Sequence, residues 1–493
     1  VKDLKERTIR GGLARLCTQA ANFLLRLGSL VILARLLEPK DFGLLGMVTA
    51  FTGVLSLCRD FGLSSATVQR TTVTDEQLST LFWLNVVVGV ILAIVTVACA
   101  PILAAFYHEP RLVQVTATLA IGFLFNAFGV QHSAILQRQL RFTTLAVVNI
   151  ASLAVSTAIA IAEAKAGYGY WALVAMNVTL PLTSTLGLWL AASWIPGMPR
   201  RRAGVRSMMR FGGTITLNSL VIYVASNLEK VLLGRFWGVD AVGIYGRAYQ
   251  LINIPTDNLN SAAGEVAFSA LSRLQNDPSR LRNYFLKGYT VILALTLPII
   301  MACGVFADDI VLVLLGPKWK EAAAIFRFLA PTTLVFAMAN PLGWLLCSIG
   351  EVRRSLKMGL VIAPLMIVSY LLGLPYGPKG VAIAYSTIMV LWLVPVILWS
   401  VQGTVLSFRD IVLAASRPLL SSVVAVAAAF AVRLVTGELS THLQTLLLEM
   451  SVLFATYLIM LLFVAGQGAL YLNLIRGLKG PSPVGEKALV STL

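Results

Sequence analysis

Apolar runs of about 20 residues, the length that crosses a bilayer as a helix, follow one another along almost the whole chain and are separated by short polar breaks. The pattern predicts helical spans over residues 12–37, 41–59, 79–107, 112–135, 141–162 and 169–195. It continues with spans over 211–236, 240–262, 286–315, 322–349, 354–374 and 378–401, and then over 412–435 and 443–466. The span after Asp240 is open to running on as an amphipathic helix as far as Leu274. These fourteen spans, grouped six, six and two, predict an all-α polytopic membrane protein.

An internal repeat supports the grouping. Sliding the N-terminal region forward by 200 positions places Gly12 on Gly212, Val31 on Val231, Leu33 on Leu233 and Arg35 on Arg235. Gly43 then falls on Gly243 and Gly46 on Gly246. Each copy reads as an apolar helix ending in Val-x-Leu-x-Arg, a polar break holding Asp41 or Asp240, and a Gly-x-x-Gly that opens the next helix. Apolar bias alone would not reproduce that polar break, so the repeat marks an internal duplication. The expected domains are an N-terminal six-helix bundle at 1–198, a basic cytoplasmic loop at 199–210 containing PRRRAGVR, and a second six-helix bundle at 211–402. Two additional transmembrane helices follow at 403–466, with a cytoplasmic tail at 467–493. Six helices separate the copies and preserve their sense, which predicts two pseudo-symmetric bundles related by an axis along the membrane normal.

Composition agrees with the hydropathy pattern. Hydrophobic residues make up 58% of the 493 positions and charged residues 12%, where a soluble domain carries about 25% charged residues. The mean hydropathy is +0.83. The net charge of +17 needs no nucleic acid to explain it, because Lys and Arg collect in loops on one side. With the N-terminus inside, 25 fall in cytoplasmic segments and 7 on the opposite side, a strong positive-inside bias. Both termini are therefore expected in the cytoplasm, with VKDLKERTIRGG as an amphipathic start rather than a cleaved signal. The five cysteines lie in or beside apolar spans without CxxC spacing and read as packing residues. No P-loop, HExxH or Gly-x-Ser-x-Gly occurs, and His108, His132 and His442 are scattered. The expectation is a protein that is not an enzyme, with no cofactor, no metal and no nucleic-acid partner.

Polar and charged residues inside spans are costly and are functional candidates by default. In the first span Arg15, Gln19, Asn22, Arg26 and Ser29 recur at spacings of four and three, which puts them on one face. Thr49, Thr52, Ser56 and Arg59 do the same in the second span, where Arg59 reads equally as topology marker or site residue. Asn218, Ser226, Asn227, Glu229 and Lys230 fall in the seventh span, where Glu229 and Lys230 either pair with neighbouring helices or serve the site. Arg247, Gln250, Asn253, Asp257 and Asn260 form a track in the eighth, interrupted by Pro255. Arg26 and Arg247 lie too deep to snorkel easily, whereas Arg35 and Arg235 sit near helix ends and read as interfacial anchors.

The chain resembles the Wzx-like polysaccharide exporters, the flippases of lipid-linked O-antigen and colanic-acid type oligosaccharides. These share a superfamily with the multidrug extruders and the lipid II flippases. The resemblance rests on NLEKVLLGRFWGVDAVGIYGRAYQLINIPTDNL at Asn227–Leu259 and the SAAGEVAFSALSRLQND that follows. ILARLLEPKDFGLLGMVTAF at Ile32–Phe51 and DFGLSSATVQR at Asp60–Arg70 also carry it. It implies two facing bundles around a cationic cavity that works by alternating access. The implied cargo is an undecaprenyl-pyrophosphate-linked oligosaccharide, carried across the bacterial inner membrane for exopolysaccharide, lipopolysaccharide or capsule biosynthesis. It also implies polymerase and glycosyltransferase partners. On this reading Arg26, Arg247, Lys230, Asn22, Gln250, Asn253 and Arg59 are substrate-binding candidates, and Asp257 and Glu229 are candidates for ion coupling. The alternative on the same architecture is a multidrug or metabolite antiporter, which for cationic drugs would need an acidic lining.

Overall fold

A computed structural model describes residues 2–57, 59, 67, 73–199, 206–436, 441–464 and 466, with side chains in the first helix described from Gln19 onward. The expected tail at 467–493 and residues 200–205 of the basic loop lie outside the described residues.

The described residues form fourteen α-helices and no strand. In the first half these are α1 (Lys2–Leu36), α2 (Pro39–Leu57), α3 (Asp75–Tyr107), α4 (Arg111–Arg138), α5 (Phe142–Lys165) and α6 (Tyr170–Ala192). Then come the 68-residue α7 (Arg206–Arg273), α8 (Pro278–Val305), the short α9 (Ala307–Leu314) and α10 (Lys320–Ser348). The chain continues with α11 (Val352–Gly373), α12 (Gly377–Val401), α13 (Phe408–Thr436) and α14 (His442–Ile459). Helix ends carry ordinary capping chemistry. Thr74 and Gln77 form a reciprocal capping box on α3. At α8 the Asp277 carboxylate accepts from Arg280 N at 3.1 Å and from the Ser279 hydroxyl at 2.8 Å, and these bonds hold its carboxyl below the usual carboxylate range.

Eleven helical runs among the described residues are long and apolar enough to cross a membrane, and one of them, 352–401, contains both α11 and α12. The more polar α7 is not among them. The apolar residues sit where lipid would meet them. On α3, Val87, Ile91, Ile94 and Ile102 recur at helical spacing and are 53–66% exposed, a face that water would not tolerate. The chain is a multi-pass all-α membrane protein.

Three predicted spans differ in continuity. Residues 211–262 fall in one helix, α7, which passes through Pro255 without ending and is broken in dihedral angle only at Gly238 (φ 82°, ψ −171°). Glycine meets that positive φ without a Cβ clash. Gly238 is the repeat partner of Glu38, in the break between α1 and α2, where Glu38 N donates to Asp41 Oδ2 at 2.9 Å. The span predicted at 286–315 is divided into α8 and α9 at Phe306.

The helices pack into two compact units. One contains 1–258, 311–329 and 356–391; the other contains 259–310, 330–355 and 392–493. In the first unit the repeat copies touch each other reciprocally. A Cβ added to Gly43 would lie 1.9 Å from the Val239 carbonyl oxygen, and one added to Gly243 would lie 1.9 Å from that of Pro39. Since 39 pairs with 239 and 43 with 243 in the repeat, one contact is made twice.

The paired arginines also act at helix ends rather than only as interfacial anchors. Arg35 donates to the Leu314 and Val313 carbonyls at the end of α9. Arg235 bonds His108 Nδ1 at 2.7 Å at the end of α3 and lies over the Phe106 ring.

The second unit is tied by ion pairs. Arg282 on α8 grips Asp410 on α13 with both nitrogen arms, at 3.1 and 2.5 Å. Arg433 on α13 reaches Asp309 on α9 at 2.7 Å and Glu449 on α14 at 3.3 Å. Tyr457 on α14 donates to the Ala294 carbonyl on α8 at 2.7 Å.

Candidate functional site

The first unit encloses a cavity of about 540 Å³ lined from α1, α2, α5, α6 and α7. Six of the residues singled out in the sequence line it together: Arg26, Lys230, Arg247, Gln250, Asn253 and Asp257. Ser29 and Thr49 join them from the stripes on the first two helices. The ionisable balance of the wall is three cations against the single carboxylate of Asp257, a net of plus two, with no other acidic residue.

Each cation is held differently. Arg26 is exposed to the cavity, and its own carbonyl accepts from the Ser29 hydroxyl at 2.9 Å one turn on. Arg247 stacks its guanidinium over the Phe42 ring at 3.8 Å and donates one N–H to Gln250 Oε1. Stacking fixes the plane of the fork while its remaining N–H groups stay available to a ligand. Lys230 donates to Asn227 Oδ1 at 2.7 Å, which fixes its ammonium on the same helix. A cationic wall with two guanidinium forks, one of them held in plane by Phe42, suits phosphate oxygens, which take parallel N–H donors from arginine.

Three predicted residues lie elsewhere. Asn22 is half-buried on α1 and does not line the cavity. Arg59 closes the second span beyond the end of α2 and is also outside it. Glu229 is 2% exposed, one residue before Lys230, and does not line the cavity. Its Oε2 has no hydrogen-bond partner among the described residues. Around it are the tyrosines Tyr245, Tyr370 and Tyr385, themselves buried, with the last two rings 5.2 Å apart. The side chains of Arg15 and Asn218 are outside the described residues.

Sequence reasoning missed Phe42 and Tyr249 in the wall, because aromatic residues in an apolar span carry no signal of their own. It also missed Asn126 on α4 and Asn177 on α6, which line a neighbouring cavity. There the signal was present, since an amide inside a span is the kind of residue the intramembrane rule selects. Among the described residues no group of three or more His, Cys, Asp or Glu side chains is placed to hold a metal ion.

Comparison with known proteins agrees in fold and in family. The fold is similar to that of the lipid II flippase MurJ in an inward closed conformation, with a TM-score of 0.73 at 13% identity, over 94% of this chain and 99% of that one. The sequence is 26% identical over 398 residues to the lipopolysaccharide biosynthesis protein WzxC of Escherichia coli K12, covering 79% of this chain and 80% of that protein. It is 31% identical over 297 residues to the teichuronic acid biosynthesis protein TuaB of Bacillus subtilis 168, covering 59% of this chain and 61% of that protein. The polysaccharide biosynthesis protein family model matches residues 32–324, a stretch that holds α2 to α9 and every lining residue of the cavity but Arg26 and Ser29. With more than half its length matched, the chain belongs to the polysaccharide biosynthesis protein family.

Proposed function

We propose that this protein is a flippase that carries undecaprenyl-pyrophosphate-linked oligosaccharide across the bacterial inner membrane for surface polysaccharide biosynthesis. The observation that carries the reading is the convergence of Arg26, Lys230 and Arg247 on one cavity against a single carboxylate. A lipid pyrophosphate must leave the headgroup region to cross, and a preformed cationic wall offsets part of that desolvation. The relatives' names, in lipopolysaccharide and teichuronic acid biosynthesis, support a cargo of this class. A cationic-drug antiporter would need an acidic wall, so the sign of the charge favours the flippase. We further propose that residues 1–198 and 211–402 are the two bundles that rock around this site, with both termini in the cytoplasm. Polymerase and glycosyltransferases would hand over and receive the cargo, and the protein itself performs no catalysis. For energy coupling, the buried Glu229 with its unpartnered oxygen is a better candidate than Asp257, which is exposed on the cavity wall.

The test is a deletion strain complemented with variants. Deletion should accumulate lipid-linked repeat units and remove surface polysaccharide. Arg26→Ala and Arg247→Ala should each lower export by at least about tenfold at normal membrane abundance, the scale of one lost charge-assisted contact. Lysine at either position should restore export in part, keeping charge without the fork. Glu229→Gln should stop transport while lipid binding persists. Normal export by both alanine variants would place the pyrophosphate elsewhere.

A further inference from the structure

Beside the cationic cavity lies a second one of about 300 Å³, lined by Thr49, Thr52, Ser56, Asn126, Asn177 and Tyr223 among others, and carrying no charged residue. Thr49 lines both. Its volume is at the lower end of the about 300–1,000 Å³ that small-molecule sites occupy.

Five of the six polar side chains named in this wall already donate to the backbone. Asn126 Nδ2 donates to the Gly122 carbonyl and Asn177 Nδ2 to the Leu173 carbonyl, both at 2.9 Å. The Thr49 hydroxyl donates to Gly46 O at 3.2 Å and the Ser56 hydroxyl to Thr52 O at 2.9 Å. The Tyr223 hydroxyl donates to Thr49 O at 3.1 Å. A hydroxyl has one proton, so each of these three has already spent its only donor on the backbone and offers lone pairs alone. Each amide retains its carbonyl oxygen with two lone pairs and one further N–H. The wall is therefore rich in acceptors and short of donors, which suits a neutral ligand that brings many hydroxyl donors. An anion would find little there. Tyr223 adds a ring face, and its seat is built in: a Cβ on Gly53 would fall 1.6 Å from the Tyr223 hydroxyl oxygen. A pyranose ring has both features this wall matches, hydroxyls at the rim and a less polar C–H face.

We infer that this charge-free cavity is a saccharide subsite, which holds the sugar joined directly to the pyrophosphate while the neighbouring cationic cavity holds the phosphates. The inference rests on the flippase reading. In the linked lipid the first sugar is bonded to the phosphate, and Thr49 stands at the junction of the two cavities. Asn126 and Asn177 would then sense hydroxyl stereochemistry, because a site built to hydrogen-bond a substrate rejects analogues that leave its buried groups unpaired.

The test compares lipids bound by the full chain in nanodiscs. The probes are undecaprenyl pyrophosphate and its glucosyl, galactosyl and N-acetylglucosaminyl derivatives. Wild type should bind at least one glycosylated lipid about tenfold more tightly than the bare pyrophosphate, the scale of two neutral hydrogen bonds. N126L/N177L should erase that gain and leave affinity for the bare lipid within about twofold. Ser56→Leu, which fills the mouth from an exposed position, should erase it too and guards against a folding defect in the double variant. No gain from any of the three sugars in wild type, or a gain that survives both variants, would overturn the subsite while leaving the flippase reading intact. Failure of wild type to bind even the bare lipid would overturn both.

Discussion

Gly43 and Gly243 show what a single methyl group can decide. Each is pressed against a backbone carbonyl of the other copy, at a distance no Cβ can occupy. A carbonyl cannot rotate aside as a side chain can, so the two helix starts must part. Gly43→Ala or Gly243→Ala should destabilise the protein by about 3 kcal/mol, the upper range for overpacking a tight contact. Gly246→Ala is the control, since nothing lies within 4 Å of its Cβ position. A thermal melt in detergent that left the first two variants level with Gly246→Ala would refute the contact. The same residues explain what could be read at this scale. Gly43 and Gly243 were visible as a repeat, and Arg26, Lys230 and Arg247 as costly charges, because both signals reside in residue type. The stacking of Arg247 on Phe42 was not visible, since it pairs α7 with α2 across about 200 positions of chain.

Among the elements, the last two helices are joined to their unit by a cluster rather than by apolar packing alone. Arg433 serves two acids at once, Asp309 and Glu449, whose side chains are 5% and 1% exposed, and His442 approaches Asp309 at 3.2 Å. Removing the shared cation leaves the buried Glu449 without its basic partner and Asp309 with His442 alone, a loss of about 3–5 kcal/mol. Arg433→Ala should therefore lower the melting temperature and expose α14 to protease, and Asp309→Asn together with Glu449→Gln should recover most of the loss. If the triple change melts no higher than Arg433→Ala alone, the ion pairs do not hold α14. In the hydropathy pattern α13 and α14 were plain, whereas their fastening was not. Arg433 is one of the seven Lys and Arg counted on the outer side, and Glu449, its partner at 3.3 Å, is a lone acid in an apolar run.

For the whole molecule, the division of Lys and Arg, 25 against 7, sets an orientation that can be checked directly. A cysteine at Arg202, in the basic loop, should react with a membrane-impermeant maleimide only after cells are opened. Labelling in sealed cells would invert every span. The division at Phe306 was not legible, but most of the helices were, because an apolar run long enough to cross a bilayer marks each of them. The join at Gly238 was less so, because a kinked helix and two separate helices present the same run of residues.

The reciprocal contact at Gly43 and Gly243 has a bearing on how cargo is told apart. It is made of carbonyls and glycine α-carbons, without a charge, a hydroxyl or a ring. Such a surface has no means of recognising one cargo from another. The cavity wall beside it, at Gly46 and Val242, is equally plain. On the flippase reading proposed above, discrimination falls to the polar side chains of α2, α4, α6 and α7 rather than to this seam. A change of cargo would then call for changes in those side chains, whereas the seam leaves no room for a larger residue at Gly43 or Gly243. Each copy's seam is shaped by the other, so the same steric limit that holds position 43 to glycine holds position 243 to glycine.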